Sequence, residues 1–441
     1  MKRTIPAAIG MAAVASLALT ACSGNGDTAA GGGDGATEAS GPVTLSVSGW
    51  SLATTPEFQT LADAFHAKNP DVTIELKEYD PAQYTTLITA DLAAGNAPDI
   101  VTQKEVKNVS VFQQGGQLMD VSDVVAGLSD DVNGVDSYKI GDKYYGVPYR
   151  GDSWMLFYNQ DLFDKAGVAY PDGTWTWDDY AKAAEDLTTG LKGAGSAALG
   201  TYEHSWQSTL QGFATAQTPG ASILSGDYGY LKPYYERVLK LQDDGAQVDL
   251  GTITTNTLTY QAQFGKQQAA MMPMGSWFVA TLISQQKSGD ADTFKWGFAP
   301  APQFDASTTG LDKTPVTFGD PTAFAINASI DKSKVAAAKE FLAFAASEEA
   351  GQTLAKIGIT PAVTNDAVAA TYFGVAGAPT DDLSNFAWTT HETHPENPTS
   401  DKAAGIQTVL NDLHTAVMTG STPIDQAISE ATDRVKSEVG L

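Results

Sequence analysis

Residues 43–76 read VTLSVSGWSLATTPEFQTLADAFHAKNPDVTIEL, and this stretch sets the fold class. Apolar residues alternate with polar ones over 43–47 and again over 72–76, which indicates two strands. Between them, Thr55-Pro56 and Asn69-Pro70 predict the start and the end of a helix with one apolar face. A strand, a helix and a second strand in this order imply a parallel pair with a right-handed crossover. The N-terminal part of the chain is therefore predicted to be α/β.

Helix signals continue toward the C-terminus. Thr176-Trp177-Asp178-Asp179 has the spacing of a capping box, so we interpret Trp177 and the preceding Trp175 as packing residues at a helix start. Thr422-Pro423 predicts the cap of a last helix. Residues 371–399 are rich in Pro, Gly, Asn and Asp, which predicts an irregular surface segment.

The N-terminal sequence predicts a leader that is removed. Lys2 and Arg3 precede an apolar run that is too short to span a bilayer, and this run ends at Cys22, the only cysteine. Residues 1–21 therefore resemble the signal peptide of a bacterial lipoprotein, which implies that Cys22 is acylated, for example with palmitate, and becomes the new N-terminus. The alternative is an ordinary signal peptide with an unrelated cysteine. Residues 22–42 are predicted to form a flexible Gly-rich tether, because 23–42 contain no Val, Leu, Ile or aromatic residue.

Size and charge restrict the class of function. From Val43 onward about 400 residues remain, which is too many for one compact core and predicts two lobes. The chain has a net charge of −26, and loss of Lys2 and Arg3 leaves 24 basic against 52 acidic residues, or −28. This charge repels nucleic acid and anionic lipid surfaces. The sequence has no phosphate-binding loop of the Gly-x-x-x-x-Gly-Lys-Ser/Thr type, and we predict no cofactor.

A family resemblance rests on several separated motifs. They are GDKYYGVP at 141–148, FYN at 157–159, FGK at 264–266, AAMMPMGSW at 269–277, AAAKEFL at 336–342 and GITPA at 358–362. In this order, and together with the sequence around Cys22, they resemble the extracellular solute-binding proteins of family 1, a large sugar-binding group that serves ABC importers. The resemblance covers nearly the whole chain after the leader.

The resemblance implies a type II periplasmic-binding-protein-like fold. Two α/β lobes are joined by several hinge crossings, and the ligand lies in the cleft between the lobes. The N-terminal lobe is expected to comprise residues 43–151 and 302–363, and the C-terminal lobe residues 152–301 and 364–441. The crossings would then fall near Gly151-Asp152, Pro302-Gln303 and Pro361-Thr364. Ligand contacts to both lobes would favour a closed state.

Candidate ligand-binding residues follow from chemistry and from the resemblance. A sugar presents apolar C–H faces and hydroxyl groups, so its site needs aromatic platforms and polar side chains. Trp50 and the polar run 103–105 each follow a predicted strand, at the edge where α/β sheets bind ligands. The resemblance places an acidic contact at the first crossing, rings in the loop after residue 200 and at the end of the 269–277 motif, and a further acid near the cleft. The candidates are Trp50, Gln103, Lys104, Glu105, Asp152, His204, Trp206, Trp277 and Asp320; for each, a surface or core role is the alternative.

The predicted function is capture of an oligosaccharide and its delivery to a membrane permease with its ATPase. The expected protein is a monomer, held by its lipid at the extracellular face of the cytoplasmic membrane, and not an enzyme. Alternatives are the same fold with another cargo, such as a polyamine, glycerophosphodiester or metal chelate, or a secreted carbohydrate-active enzyme. His391-Glu392-Thr393-His394 is not interpreted as a metal site, since no third His or Cys lies nearby in the sequence.

Overall fold

The computed structural model describes residues 41–53 and 55–441. The predicted leader, Cys22 and nearly all of the predicted tether lie outside the described residues. The strands of the described chain are β1 Val43–Trp50, β2 Val72–Tyr79, β3 Ile100–Gln103, β4 Lys139–Ile140, β5 Lys143–Tyr144, β6 Val147–Gly151, β7 Trp154–Asn159, β8 Leu199–Thr201, β9 Ala269–Gly275, β10 Trp296–Pro300, β11 Val316–Phe318, β12 Pro321–Ile326 and β13 Glu392–His394.

The α-helices surround these strands. They are α1 Glu57–Lys68, α2 Tyr84–Ala94, α3 Val109–Gln114, α4 Ser122–Val125, α5 Gln160–Ala166, α6 Trp177–Gly193, α7 Ser208–Gln217, α8 Lys232–Asp243, α9 Leu250–Thr255, α10 Tyr260–Gly265, α11 Phe278–Ser288, α12 Val335–Ala345, α13 Glu348–Ala355, α14 Asp366–Phe373, α15 Asp382–Thr389, α16 Ala403–Met418 and α17 Ile424–Arg434. None of the helices within the described ranges has both the length and the apolar character needed to cross a bilayer.

The first sheet has five strands in the order β2-β1-β3-β12-β6. Strands β1 and β2 are parallel from Val43 opposite Val72 to Trp50 opposite Tyr79, so the predicted strand–helix–strand unit is confirmed. Strand β12 is antiparallel to both of its neighbours. The first sheet thus combines residues 43–151 with a strand from much later in the chain.

Helix α1 buries the predicted apolar face, but it begins at Glu57, after the predicted start at Thr55-Pro56. Phe58, Leu61 and Phe65 are all buried under the first sheet. The helix starts at Glu57 with Pro56 in the cap position and no side-chain cap, so the predicted capping by Thr55 is wrong. Thr55 instead donates its backbone N–H to the carbonyl of Ser51, which closes a turn. Thr422 likewise does not cap α17, whose cap position is held by Pro423.

The second sheet has four strands in the order β10-β7-β9-β8 and draws on residues 154–300. Helix α6 covers it and has the predicted capping box, in which Thr176 accepts from the backbone of Asp179 and the Asp179 side chain accepts from Thr176. Trp177 is buried, donates to Gln217 and contacts the rings of neighbouring aromatics, so its predicted packing role is confirmed.

The first chain crossing lies between β6 and β7, but the return crossing is later than predicted. Gln303 donates its backbone N–H to Trp175, and its side chain bonds Ala301 and Val316, which keeps this segment against the second sheet. The chain first re-enters the five-stranded sheet at Pro321. The predicted return at Pro302-Gln303 is therefore wrong, and residues 301–317 belong structurally with the second sheet.

The crossings pack directly on one another. A Cβ built on Gly319 would lie 2.0 Å from the carbonyl oxygen of Asp152, so only glycine allows the two crossings to approach this closely. A third crossing follows Thr360, whose carbonyl accepts from the backbone of Gly151. The segment 371–399 is more ordered than predicted: it contains α15 and strand β13, and β13 pairs in parallel with β11 beside the crossings.

Candidate functional site

Buried ion pairs lie at the first crossing. Asp152 accepts from Arg150 Nε at 2.6 Å and from Ser276 Oγ at 3.0 Å, and Arg150 NH1 donates to Glu57 at 2.7 Å. Burial opposes the charge on Arg150, but Asp152 and Glu57 outweigh it and raise its pKa. Since Ser276 follows β9, Asp152 ties the ends of the two sheets together. Asp152 stays a predicted ligand contact, with both carboxylate oxygens already accepting hydrogen bonds.

The first group of predicted ligand contacts consists of Trp50 and the polar run after β3, which we call the polar wall (Trp50, Gln103, Lys104, Glu105). Trp50 is half-buried, and Lys104 Nζ lies 5.3 Å from the centre of its ring. Lys104 also donates to the carbonyl of Pro81 at 2.6 Å, and burial is the main cause of its lowered pKa. Glu105 accepts from Thr85 at 2.9 Å. Burial acts to raise the pKa of Glu105, but Lys107, Thr85 and other donors outweigh it and lower the pKa.

Gln103 is the exception within the polar wall. It is 1% exposed, and neither its amide nitrogen nor its amide oxygen has a hydrogen-bond partner among the described residues. An unsatisfied buried amide costs about 1–3 kcal/mol. Gln103 lines a small pocket with Lys104 and Glu105, at the carboxyl end of β3. Its side chain is therefore available to a ligand or to water.

The second group is a cluster of rings in the second lobe, which we call the aromatic wall (His204, Trp206, Tyr260, Trp277). The centre of the His204 ring lies 4.5 Å from that of Trp206 and 5.4 Å from that of Tyr260. Trp206 also contacts Trp277 at 6.4 Å, and Trp277 meets the buried Trp154 edge-on at 5.4 Å. Trp206 is 39% exposed while Trp277 is half-buried. Burial lowers the pKa of His204 to about 4, so its imidazole is neutral at physiological pH.

The charge of Arg150 at the crossing acts on one residue of each wall. Burial is the main cause of the lowered pKa of Lys104 and of the raised pKa of Tyr260, and the charge of Arg150 acts on both. Lys104 belongs to the polar wall and Tyr260 to the aromatic wall. Arg150 is thus within electrostatic reach of each. Of these three residues only Lys104 was predicted as a ligand contact.

Asp320 lies at the return crossing and is paired with a second acid. Its carboxylate accepts from the backbone and the side-chain amide of Asn397, at 3.1 and 2.7 Å. Burial raises the pKa of Asp320 to about 6. Burial, followed by the charge of Asp320, raises the pKa of Glu396 to about 8. Lys107 and Glu105 of the first lobe also act on Glu396, so this pair faces the polar wall.

A narrow polar cavity lies beneath the aromatic wall, lined by His204 and by residues of α8, α9 and α16. Both amide atoms of Gln247, Nε2 of Gln242 and Nε2 of His414 are buried there without a partner in the described chain. Burial raises the pKa of Glu203, also on this cavity, to about 7. Such a set of unsatisfied groups is expected to hold ordered water.

Sequence reasoning missed Tyr260, Glu396 and Arg150. Tyr260 begins a short helix capped by Thr259, which gave a local signal for the helix but none for the ring's position in the cleft. Glu396 lies in the segment predicted to be irregular surface. Arg150 was recognised only as part of the crossing. Among the described residues, no group of three or more His, Cys, Asp or Glu side chains is arranged to hold a metal ion.

Comparisons with known proteins agree on the family. The profile of the bacterial extracellular solute-binding proteins matches residues 49–352. A crystal structure of a sugar transporter from Rhizobium etli, in an open conformation, is 32% identical, covers 89% of this chain and 99% of its own, and has a TM-score of 0.77.

Curated relatives match over shorter regions. A putative binding protein of Brucella abortus is 24% identical over 62% of this chain, and the match spans 66% of that relative's length. The sn-glycerol-3-phosphate-binding periplasmic protein of Escherichia coli is 30% identical over 35% of this chain and 36% of its own. With two lobes, chain crossings between them and a profile match over most of its length, the chain belongs to the bacterial extracellular solute-binding protein family and has the two-lobed type II fold.

Proposed function

We propose that this chain is the substrate-binding lipoprotein of an ABC importer and that it captures a carbohydrate, an oligosaccharide, between its polar and aromatic walls. The observation that carries this proposal is that the charge of Arg150, at the crossing, acts both on Lys104 beside the unsatisfied Gln103 amide and on Tyr260 of the aromatic wall. A sugar ring offers an apolar face to an aromatic ring and hydroxyl groups to amides and carboxyls.

The size of the aromatic wall supports more than one sugar unit. Trp206, Tyr260 and Trp277 form a continuous set of contacts, from a rim residue to a half-buried one. Aromatic rings at different depths can contact successive sugar units of one oligosaccharide. The similarity to the Rhizobium etli sugar transporter, at 32% identity over most of the chain, supports a carbohydrate cargo as well.

Capture would couple to closure of the cleft. A solute that contacts both walls stabilises the arrangement in which the walls are close, since only that arrangement makes both sets of contacts. The closed protein would present its cargo to a permease driven by its ATPase. Acylation of Cys22 would hold the protein, as a monomer, at the extracellular face of the cytoplasmic membrane.

Calorimetric titration of the mature chain with plant, milk and starch-derived oligosaccharides tests the cargo. We expect saturable binding of at least one of them, with a decrease in radius of gyration by small-angle scattering. If no sugar binds and a polyamine binds tightly, the carbohydrate assignment is overturned. Sustained cleavage of a bound oligosaccharide would instead support the enzyme alternative. Mass spectrometry of the protein from membranes tests acylation at Cys22.

A glycerol phosphate is the second candidate cargo. It is favoured by the partial similarity to the sn-glycerol-3-phosphate-binding protein and by Lys104, whose ammonium group has one hydrogen-bond acceptor among the described residues, the carbonyl of Pro81. Titration with sn-glycerol-3-phosphate at low and high salt separates the two candidates. Binding of this anion would weaken strongly with salt, whereas binding of a neutral sugar would not.

A further inference from the structure

The strongest unassigned feature is the group formed by Asp320, Glu396 and Asn397. Asp320 lies between β11 and β12, and Glu396 and Asn397 follow β13, the strand that pairs with β11. The backbone N–H of Glu396 and both the N–H and the side-chain amide of Asn397 donate to Asp320. Three donors favour the ionised form of Asp320, while its burial opposes it.

The carboxyl of Glu396 has no hydrogen-bond partner within residues 41–53 and 55–441, and the residue is only half-buried. The charged groups that act on it are Asp320 on the crossing, and Lys107 and Glu105 from the first lobe. Lys107 is itself 3.5 Å from Glu105. Glu396 therefore lies near charged groups of the first lobe, and its carboxyl makes no hydrogen bond to the described residues.

Asn397 supplies an independent observation. It is 6% exposed, and its Oδ1 atom is buried without a partner in the described chain, although its Nδ2 atom is bound by Asp320. The bond to Asp320 fixes the amide, so Oδ1 cannot exchange places with Nδ2. A buried acceptor without a donor is costly, and a ligand or a water must supply the donor.

We propose that Glu396 and Asn397 form a subsite for one hydroxyl group of the solute, in which Glu396 donates a hydrogen bond to the hydroxyl oxygen and Asn397 Oδ1 accepts the hydroxyl proton. The inference rests on the proposed function and deepens it. A hydroxyl is the group that both accepts and donates. An ammonium group can only donate, and a phosphate oxygen without a proton can only accept, so neither satisfies both partners.

Electrostatics support this assignment of roles. Two carboxyls close enough to repel each other cannot both ionise easily, so one of them stays protonated over a range of pH. Burial and the charge of Asp320 raise the pKa of Glu396 to about 8, above the pKa of about 6 that burial gives Asp320. At neutral pH Glu396 is therefore the acid that keeps its proton, which makes its carboxyl a donor.

The sign of the pH dependence follows from this donor role. A solute that binds the protonated pair takes up a proton wherever the free pair has lost it. Affinity is then constant below the pKa of Glu396, about 8, and falls by up to about tenfold per pH unit above that pKa. A cationic solute would show the opposite slope, because its binding would expel the proton.

Calorimetry of the mature chain with the best-binding sugar, from about pH 6 to about pH 10 in buffers of different ionisation enthalpy, tests the proposal. We expect affinity to fall above about pH 8 with proton uptake on binding. Glu396→Gln keeps a donor but does not titrate, so it should remove both effects and retain affinity near neutral pH. Asn397→Leu should lower affinity about tenfold at every pH. Glu340→Gln, an exposed position on α12, is the matched control and should behave like the unaltered chain.

The outcomes separate this inference from the proposed function. A sugar that binds with no pH dependence, with a rising affinity at high pH, or with the same slope in Glu396→Gln overturns the subsite while leaving sugar capture intact. Failure of every sugar to bind overturns both. Carbon-13 NMR of the ligand-free protein gives a further check, because ordinary carboxyl titration of Glu396 would directly overturn its role as a donor at neutral pH.

Discussion

The polar wall and the aromatic wall differ in how many of their side-chain groups already have partners within the protein. Lys104 and Glu105 each bond neighbours on their own lobe, and Gln103 alone is left with unsatisfied atoms. The aromatic wall has its rings in mutual contact and leaves faces open. We infer that the aromatic wall supplies most of the affinity, while the polar wall selects among solutes through a small number of positions.

Trp277→Ala is expected to have the largest effect. Removing this half-buried ring from contact with Trp206 should weaken sugar binding by about 1–3 kcal/mol. Calorimetry measures the change, and Trp277→Phe should recover part of it. Because Trp277 also packs on Trp154, urea unfolding must accompany the titration. An unchanged affinity in a folded variant would remove Trp277 from the site.

Gln103→Leu is expected to separate binding from stability. The leucine removes an unsatisfied buried amide of similar volume, so the free energy of unfolding should stay equal or rise. Sugar affinity should fall by about 1–2 kcal/mol if the amide serves the solute. Urea unfolding and calorimetry on the same sample give both quantities. A loss of stability with no loss of affinity would contradict a ligand role for Gln103.

Trp206→Ala should have a smaller effect than Trp277→Ala. Trp206 is at the rim, 39% exposed, where truncation of a contact excludes less water. We expect a loss of about 0.5–1 kcal/mol for a short sugar and a larger loss for a longer one. Titration with two chain lengths of one oligosaccharide series tests this. Equal losses for both lengths would show that Trp206 does not mark the distal end of the cleft.

Lys104→Met should have the smallest effect on a neutral sugar. It removes a cation beside Trp50 and keeps most of the side-chain volume, for an expected loss of about 0.5 kcal/mol. With sn-glycerol-3-phosphate as cargo, the same change would remove a direct countercharge and abolish much of the binding. The ratio of the two losses, measured by calorimetry at fixed salt, therefore also sharpens the choice of cargo.

Local sequence patterns predicted the strands and helices well, but they predicted poorly where residues lie in the tertiary structure. The strands at 43–50 and 72–79 were predictable because alternation is visible within a few residues. The return crossing was misplaced because no local signal tells whether Gln303 will bond Trp175 or enter the first sheet. Arg150 and Glu396 gain their importance from partners far away in the chain. Trp277 and Trp206 were predicted as ligand contacts through the family resemblance, not through their own spacing, and they remain predictions.

Strand β12 lies between β3 and β6, although about 170 residues separate it from β6 along the chain. A polypeptide that emerges from the ribosome or an export channel N-terminus first must therefore wait for residues 321–326 before the middle of the first sheet can be filled. Until then its central hydrogen bonds have no partner, and such non-local pairing is slow. Because the connectivity at the hinge places β12 late in the chain, the first sheet cannot be completed while residues 321–326 are still being synthesised or exported.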